Sequence, residues 1–347
     1  MFLEIKIRVE KELGAYVRQM DKLYSLNRLS PLLFKSIKEF VLRSGKRIRP
    51  VLFCIGYLGF SKKTPPPGLY RSALSLELLH DFMLVHDDII DKSDTRRGKP
   101  SMHSLLNRYL MPGKKAKFSG EDLTIVAGDV MYSMALDAFL SVKEDMRRKE
   151  DALRKLISAA LYTGSGEFIE LLLGIKPIEK VTREDIYKVY DYKTANYTFA
   201  SPLNMGATLA GADPGQVKDL FSYGMLLGKA FQIRDDIIGT FGEEKETGKS
   251  NLTDIKEAKR TLLIWHAFNH AEKKDRLIIK RIMEGKTARI TELVKIRRII
   301  VDTGALLYAE NQIKYLLSKA NVELNRLRMD KRYKQALTDF SVNILKA

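Results

Sequence analysis

The chain has 347 residues, 45% of them hydrophobic and 30% charged, which is ordinary for a soluble globular protein and enough to bury a sizeable core in one large domain or two smaller ones. Its single cysteine, Cys54 in the apolar context VLFCIG, excludes an internal disulfide and reads as a small core residue, and no run of about 18 apolar residues marks a membrane span. The formal charge of +17 leaves nucleic acid, anionic small substrates and a basic surface in competition, but Lys and Arg alternate with Glu and Asp over most helices and no nucleic-acid-reading motif is present.

Helical signals dominate from end to end, and no period-2 strand runs bounded by tight hairpin turns stand out. Helices are predicted near residues 4–20, 31–43, 48–59, 70–92, 101–109, 121–143 and 150–173. They continue near 183–210, 215–240, 255–272, 275–285, 289–302, 304–320 and 330–345. Breakers separate them, among them Gly113, Gly174 with Pro177, and the turn from Gly211 to Pro214. The pattern predicts one all-α domain over residues 1–347, with a core of long helices and no linker, repeat or low-complexity tract. The N-terminus, MFLEIKIRVEKEL, alternates charged and apolar residues, unlike the apolar core of a signal peptide, so a cytoplasmic location is expected.

Taken in order, the first chemically informative stretch is RSGKRIRP at 43–50. Lys46, Arg47 and Arg49 crowd Gly45 and the first turn of a helix that carries Pro50. An ordinary basic loop reads the same way, but a helix entry beside cations also suits an anion, and Gly45 lets the backbone approach one closely.

The next stretch, YRSALSLELLHDFMLVHDDIIDK at 70–92, follows the breaker run Pro65, Pro66, Pro67 and Gly68. It carries Asp87, Asp88 and Asp91 at its end. Asp87 and Asp91 share a helix face about 6 Å apart along the axis, where two carboxylates repel unless a cation lies between them. A hard divalent cation held by one or two carboxylates plus substrate phosphates fits better than a solvated acidic end. Apolar residues run straight into the carboxylates, and Arg96 and Arg97 follow at once. His80 falls on the Asp87 face, as a core residue or as part of the same pocket wall. No zinc site is read, because the histidines lack paired ligand spacing.

Farther on, KTANYTFASPLNMGATLAGA brings Lys193 and Thr194 ahead of a helix-interior proline, Pro202. This is either a kinked packing helix or a free carbonyl with Lys193 at a pocket wall. Residues 228–261 then repeat the acidic theme. Asp235 and Asp236 end a second apolar helix one turn after Gln232, and Lys249, Asp254, Lys259 and Arg260 follow a loop. An EF-hand is excluded, because its ligands alternate along a loop.

Together these pieces resemble the trans-prenyltransferases, the isoprenyl diphosphate synthases. GKRIRP at 45–50, DDIID at 87–91 with Arg96 and Arg97, KT at 193–194, QIRDD at 232–236, Lys249 and Lys259 carry the resemblance, strongly over 45–260. It implies an all-α bundle of long helices around a deep central cavity, a homodimer, and a short-chain synthase of the geranylgeranyl diphosphate type. It further implies Mg2+, three ions per active site, held by Asp87, Asp91 and Asp235, with Asp88 and Asp236 as ligands or supporting partners. Arg96, Lys193, Lys249 and Lys259 would hold the allylic diphosphate, with Thr194 and Gln232 nearby. Lys46, Arg49, His80 and Arg97 would hold isopentenyl diphosphate. Phe82, with Met83 more directly beneath Asp87, would limit product length at C20, so that Phe82→Ala lengthens the product. Gly239 stands where many relatives carry a third Asp.

The chemistry fits the residues independently. A carbon–oxygen bond to diphosphate breaks, and the charge that develops on the leaving group calls for cations in a dry pocket. Farnesyl or longer-chain synthesis is the nearest alternative. A class I terpene cyclase shares the DDxxD helix, but QIRDDIIG does not match its second metal motif, and it needs no second diphosphate site. A non-catalytic synthase subunit would be expected to lose acids that are intact here. Nucleic-acid binding ranks last, and neither nucleic acid nor a membrane is an expected partner.

Overall fold

The computed structural model describes residues 1–110, 117–242, 259–285 and 289–346. Its contacts gather into two compact units, one formed by Met1–Leu156 with Met205–Ala212 and the other by Ile157–Asn204 with Asp213–Ala347.

The first unit is built on α5 (Leu69–Ile90). Around it lie α1 (Phe2–Tyr24), the short α2 (Leu26–Leu29), α3 (Pro31–Val41), α4 (Ile48–Phe60), α6 (Met102–Leu110) and α7 (Gly120–Leu140). Local chemistry sets several starts. Ser30 accepts the Leu33 N–H ahead of Pro31, and Ser119 with Asp122 forms a capping box that opens α7. At Gly68 the backbone has φ 84°, and a Cβ there would lie 2.1 Å from the Ser141 carbonyl, so only glycine lets α5 begin this close to the end of α7. Ser72 Oγ then donates to Phe139 O at 2.6 Å, pinning the two helices. Both α7 and the longer α8 (Met146–Ile175) are long and apolar enough to cross a membrane by composition alone. In α7 one face of that apolarity meets protein, with Ala127, Met131, Met134, Ala135, Ala138 and Phe139 buried, while Ile125, Val126 and Leu140 are exposed.

The second unit centres on α11 (Pro214–Phe241). The expected single helix over 183–210 is three pieces: α9 (Arg183–Val189), a π-helix (Tyr190–Ala200) and α10 (Ser201–Ala210). The proline supplies a reason. Pro202 has no N–H to offer the carbonyl four residues back, and at the π-helix end Ser201 N–H reaches Asn196 O instead, five residues back. After the segment 243–258, α12 (Leu262–His270) opens on Thr261, whose Oγ accepts the Ile264 N–H. Then follow α13 (Lys273–Met283), α14 (Ile290–Asp302), α15 (Ala305–Arg326) and α16 (Lys331–Lys346).

The chain is almost strand-free among the described residues, with one short hairpin. Thr95–Arg96 pairs antiparallel with Lys99–Pro100. The connecting residues Arg97 and Gly98 have φ of 54° and 70°, as a two-residue type I′ hairpin requires. The hairpin is too short to show a period-2 pattern.

Candidate active site

In the first unit α5 presents Asp87 half-buried and ends at Asp91, its C-cap. Asp88 is different: it is fully buried, and Arg96 Nε donates to its Oδ1 at 2.6 Å. Arg96, carried on the hairpin, is itself buried, so its guanidinium is engaged with the helix. Arg43 staples the hairpin from the other side, with Nη1 donating to Arg96 O at 3.3 Å and Nη2 to Pro100 O at 2.9 Å.

The basic stretch 43–50 splits the same way. Lys46 is exposed and Arg49 half-buried, whereas Arg47 is buried and spent internally. Arg47 Nη1 donates to Glu77 at 2.6 Å and Nη2 to Arg43 O at 2.6 Å. Burial works to lower the Arg47 pKa, but the Glu77, Asp81 and Glu10 carboxylates outweigh it and hold the group charged. Arg97 reaches Asp81 at 3.7 Å and Glu77 at 3.8 Å, and its Nη1 is buried with no hydrogen-bond partner among the described residues. A buried guanidinium nitrogen without an acceptor is an uncommon and costly arrangement, and an anion removes the cost. Gly45 lines the same spot, since a Cβ there would lie 3.4 Å from the Arg97 guanidinium. His80 stands in this cationic field. Burial, then Arg49 and Arg97, push its pKa well below the usual value, so it is neutral at pH 7. Asp81 is fully buried; desolvation first and Glu77 second raise its pKa well above the usual range against the pull of the arginines. The Arg47–Glu77 pair is 2% and 3% exposed at its side chains. Glu77→Ala therefore removes the carboxylate nearest this buried charge, leaving Glu10 3.7 Å away, and should cost about 3–5 kcal/mol in urea unfolding. A loss below about 1 kcal/mol would mean that water reaches the pair.

Beneath the carboxylates, Phe82, Met83 and Leu84 keep part of their surface while Leu79 and Val85 are buried. Apolar surface thus lies open directly N-terminal to Asp87.

The second unit holds the other acidic pair near the end of α11. Asp235 is exposed, and Asp236 is buried. Gln232 Nε2 donates to Asp236 Oδ1 at 2.9 Å, and Tyr190 donates its hydroxyl proton to Oδ2. The same Tyr190 oxygen accepts the Leu262 N–H at 3.0 Å, tying the start of α12 to α11. Burial first and the Asp236 charge second push the Tyr190 phenol pKa far up, so it stays a donor. Thr194 Oγ1 donates to Gln232 Oε1 at 2.6 Å, completing a chain from the π-helix through α11 to α12. Lys193 lies 2.5 Å from Glu167 of α8 and also bonds Glu170. Lys259 is half-buried two residues ahead of the α12 cap. Arg260 is buried and donates to the carbonyls of Gly174 and Lys176 near the end of α8, at 3.0 and 3.3 Å. Lys249, Asp254 and Gly113 lie outside the described residues.

Several contributors escaped the sequence reading. Glu77, Asp81, Glu167, Glu170 and Tyr190 carry no motif; the i,i+4 spacing of Glu77 with Asp81 and the i,i+3 spacing of Glu167 with Glu170 were the available signals. The histidine reading also needs amendment, because His266 and His270 do have paired spacing. Their rings stack at 3.9 Å, and His270 Nδ1 donates to His266 O at 2.9 Å. Among the described residues no group of three or more His, Cys, Asp or Glu is assembled to hold a metal alone.

Comparison with known proteins bears on this arrangement directly. Residues 30–300 match the family model described as polyprenyl synthetase. A geranylfarnesyl diphosphate synthase of Aeropyrum pernix is 32% identical over 292 residues, spanning 83% of this chain and 86% of that one. A short chain isoprenyl diphosphate synthase of Methanocaldococcus jannaschii is 29% identical over 287 residues, 82% of this chain and 78% of that one. The geranylgeranyl pyrophosphate synthase of Corynebacterium glutamicum, solved with isoprenyl diphosphate and magnesium, superposes with a TM-score of 0.91 at 27% identity over 99% of this chain and 98% of that one. With its motifs, its all-helical fold and these relatives in agreement, the chain belongs to the polyprenyl synthetase family and is a prenyltransferase of the short-chain isoprenyl diphosphate type.

Proposed function

We propose that the protein condenses isopentenyl diphosphate with allylic diphosphates of C5 to C15 and releases mainly geranylgeranyl diphosphate. The observation that carries this reading is the division of labour within the acidic pairs. Asp88 and Asp236 are buried on protein donors, whereas Asp87 and Asp235 keep surface beside them. Asp87, Asp91 and Asp235 would hold Mg2+, a metal also present in the Corynebacterium glutamicum enzyme, and we assign three ions to each site. When bound, the ions act as Lewis acids on the diphosphate oxygens. Lys193 and Lys259 add fixed positive charge for the allylic diphosphate, and Lys249 and Arg96 are assigned to the same group; Arg96 also fixes Asp88. Thr194 and Gln232 orient that side. Lys46, Arg49, Arg97 and neutral His80 take the isopentenyl diphosphate, with the unpartnered Arg97 Nη1 as a ready donor. The allylic carbon–oxygen bond breaks, the isopentenyl double bond attacks the cation, and the released diphosphate takes the proton. Phe82 and Met83 surround the hydrocarbon with apolar surface, so water does not capture the cation.

The test is direct. Incubation with Mg2+, isopentenyl diphosphate and each allylic diphosphate should give all-trans products that stop at C20. No chain growth from any primer, or release of cyclic hydrocarbon, refutes the reading. A C25 product would favour the second reading, for which the geranylfarnesyl synthase at 32% identity speaks.

We also propose a cytoplasmic homodimer. Met146, Leu161, Phe168 and Ile175 of α8 are 74%, 63%, 65% and 81% exposed, more large apolar surface on one helix than a monomer ordinarily leaves in water. Light scattering should give twice the chain mass, and a monomer at micromolar concentration refutes it.

A further inference from the structure

Two arginines and two carboxyls meet in the first unit, and only one of the two pairs is closed. Arg47 Nη1 donates to Glu77 Oε1 at 2.6 Å. One turn after Glu77, Asp81 is fully buried, and neither of its carboxyl oxygens has a hydrogen-bond partner among the described residues. Arg97 Nη2 lies 3.7 Å from Asp81 Oδ1, outside hydrogen-bond reach. Arg97 Nη1 is likewise buried without an acceptor. An ionised carboxylate and a guanidinium this close ordinarily contract to a charge-assisted hydrogen bond, as Glu77 and Arg47 do. A neutral carboxyl leaves such a pair open, because nothing draws the guanidinium in and a buried neutral acid costs less than a buried anion.

The groups around Asp81 contest its charge. On α5 they are Glu77, neutral His80 and, two turns on, Asp88, which is closed on Arg96. Arg47 and Arg49 act from the entry of α4 and Arg97 from the hairpin, while Glu10 of α1 bears on Arg47 at 3.7 Å. Arg43, between α3 and α4, is spent on Glu39 and the hairpin carbonyls. The residues that α3 and α7 bury are uncharged, and α6 buries His103 as its one titratable group. Burial first, then Glu77, favour a proton on Asp81, whereas the three arginines favour the charge.

We propose that Asp81 is a positioning residue for the second diphosphate: by exchanging a proton with solvent it sets how much of the Arg97 charge isopentenyl diphosphate meets. The inference rests on the chain-elongating reading above and deepens it. Protonated, Asp81 leaves Arg97 uncompensated, with Nη1 open to a phosphate oxygen. Ionised, it closes on Arg97 as Glu77 closes on Arg47, and the diphosphate meets a neutralised pair. A bound diphosphate in turn favours the protonated acid, because binding and protonation are linked reciprocally. The sign follows: the site is competent below the folded-state pKa of Asp81 and weakens as pH rises through it.

Steady-state kinetics from about pH 6 to about pH 9 with Asp81→Asn, which keeps the shape and fixes the group neutral, test this. The ratio of unaltered protein to variant at each pH removes the titration of the substrates themselves. For the KM of isopentenyl diphosphate that ratio should lie near one at the acid end and rise to about tenfold at the alkaline end. For the KM of the allylic substrate it should stay near one throughout, a split that a merely structural role does not produce. Infrared spectra at the acid end should show a carboxylic-acid carbonyl band that Asp81→Asn lacks, a readout independent of turnover. A ratio for isopentenyl diphosphate that is flat across the range, or that moves equally for both substrates, overturns the inference and leaves the elongating activity standing. Absence of the acid band from the unaltered protein also overturns it. No elongation by the unaltered protein removes the underlying reading, and the inference with it.

Discussion

Asp87→Asn should lower kcat by about 100- to 1000-fold at saturating Mg2+ and both substrates, the size of effect seen when one electrostatic contact to a developing negative charge is removed. The substitution keeps the shape and removes only the charge. The residues proposed to hold isopentenyl diphosphate, Lys46, Arg49, His80 and Arg97, lie elsewhere in the chain, so its KM should move little. Asp88→Asn is the informative partner. Asp88 is fully buried on Arg96, so its loss should appear chiefly as lost stability, with the Arg96 hairpin loosened. Steady-state kinetics and urea unfolding on the two variants separate the roles. A kcat for Asp87→Asn within about threefold of the unaltered protein would remove Asp87 from the diphosphate-handling set.

Gly228→Ala probes the packing away from the acidic helix ends, and its sign is the test. Within a helix, alanine is favoured over glycine by about 1 kcal/mol, so propensity alone predicts a more stable protein. Packing predicts the opposite. A Cβ on Gly228 would lie 2.4 Å from Ala195 Cα and 2.8 Å from Ala195 Cβ, and one turn earlier Gly224 faces Ala200 as closely. Ala195 Cα is backbone and cannot rotate away. The π-helix must move off α11, at a cost of about 1–3 kcal/mol or more. That movement would stretch the 2.6 Å bond from Thr194 to Gln232, and kcat/KM for the allylic substrate should fall with stability. A raised urea midpoint with unchanged kinetics would show that the two elements do not pack as closely as the structure places them.

The motifs were legible because their chemistry is local. Two carboxylates one turn apart after an apolar helix, basic residues around a glycine at a helix entry, and Gln232 one turn before Asp235 need nothing but helical geometry to be read. The all-α character was legible for the same reason, since breakers and caps such as Ser119 with Asp122 act over a few residues. What the sequence did not show lies where distant parts of the chain compete. The predicted helix over 183–210 contains the π-helix Tyr190–Ala200, whose register answers both to Pro202 and to the close fit of Gly224 and Gly228. The hairpin at 95–100 depends on Arg97 accepting a positive φ, a conformation that a non-glycine residue adopts at a cost and only with support from its surroundings.

The amino-acid order by itself determined the helical class, the two acidic helix ends and the basic residues available to a diphosphate, because charge, period and capping are properties of neighbours along the chain. Only the tertiary structure decided how those charges are spent. It committed Asp88 to Arg96, Asp236 to Tyr190 and Gln232, and Arg47 to Glu77, while Arg97 Nη1 kept no acceptor among the described residues. It also set Tyr132 against Phe82. A buried charge takes whatever partner the packing brings within hydrogen-bond reach, and two rings meet only where two helices cross; neither is written in sequence spacing.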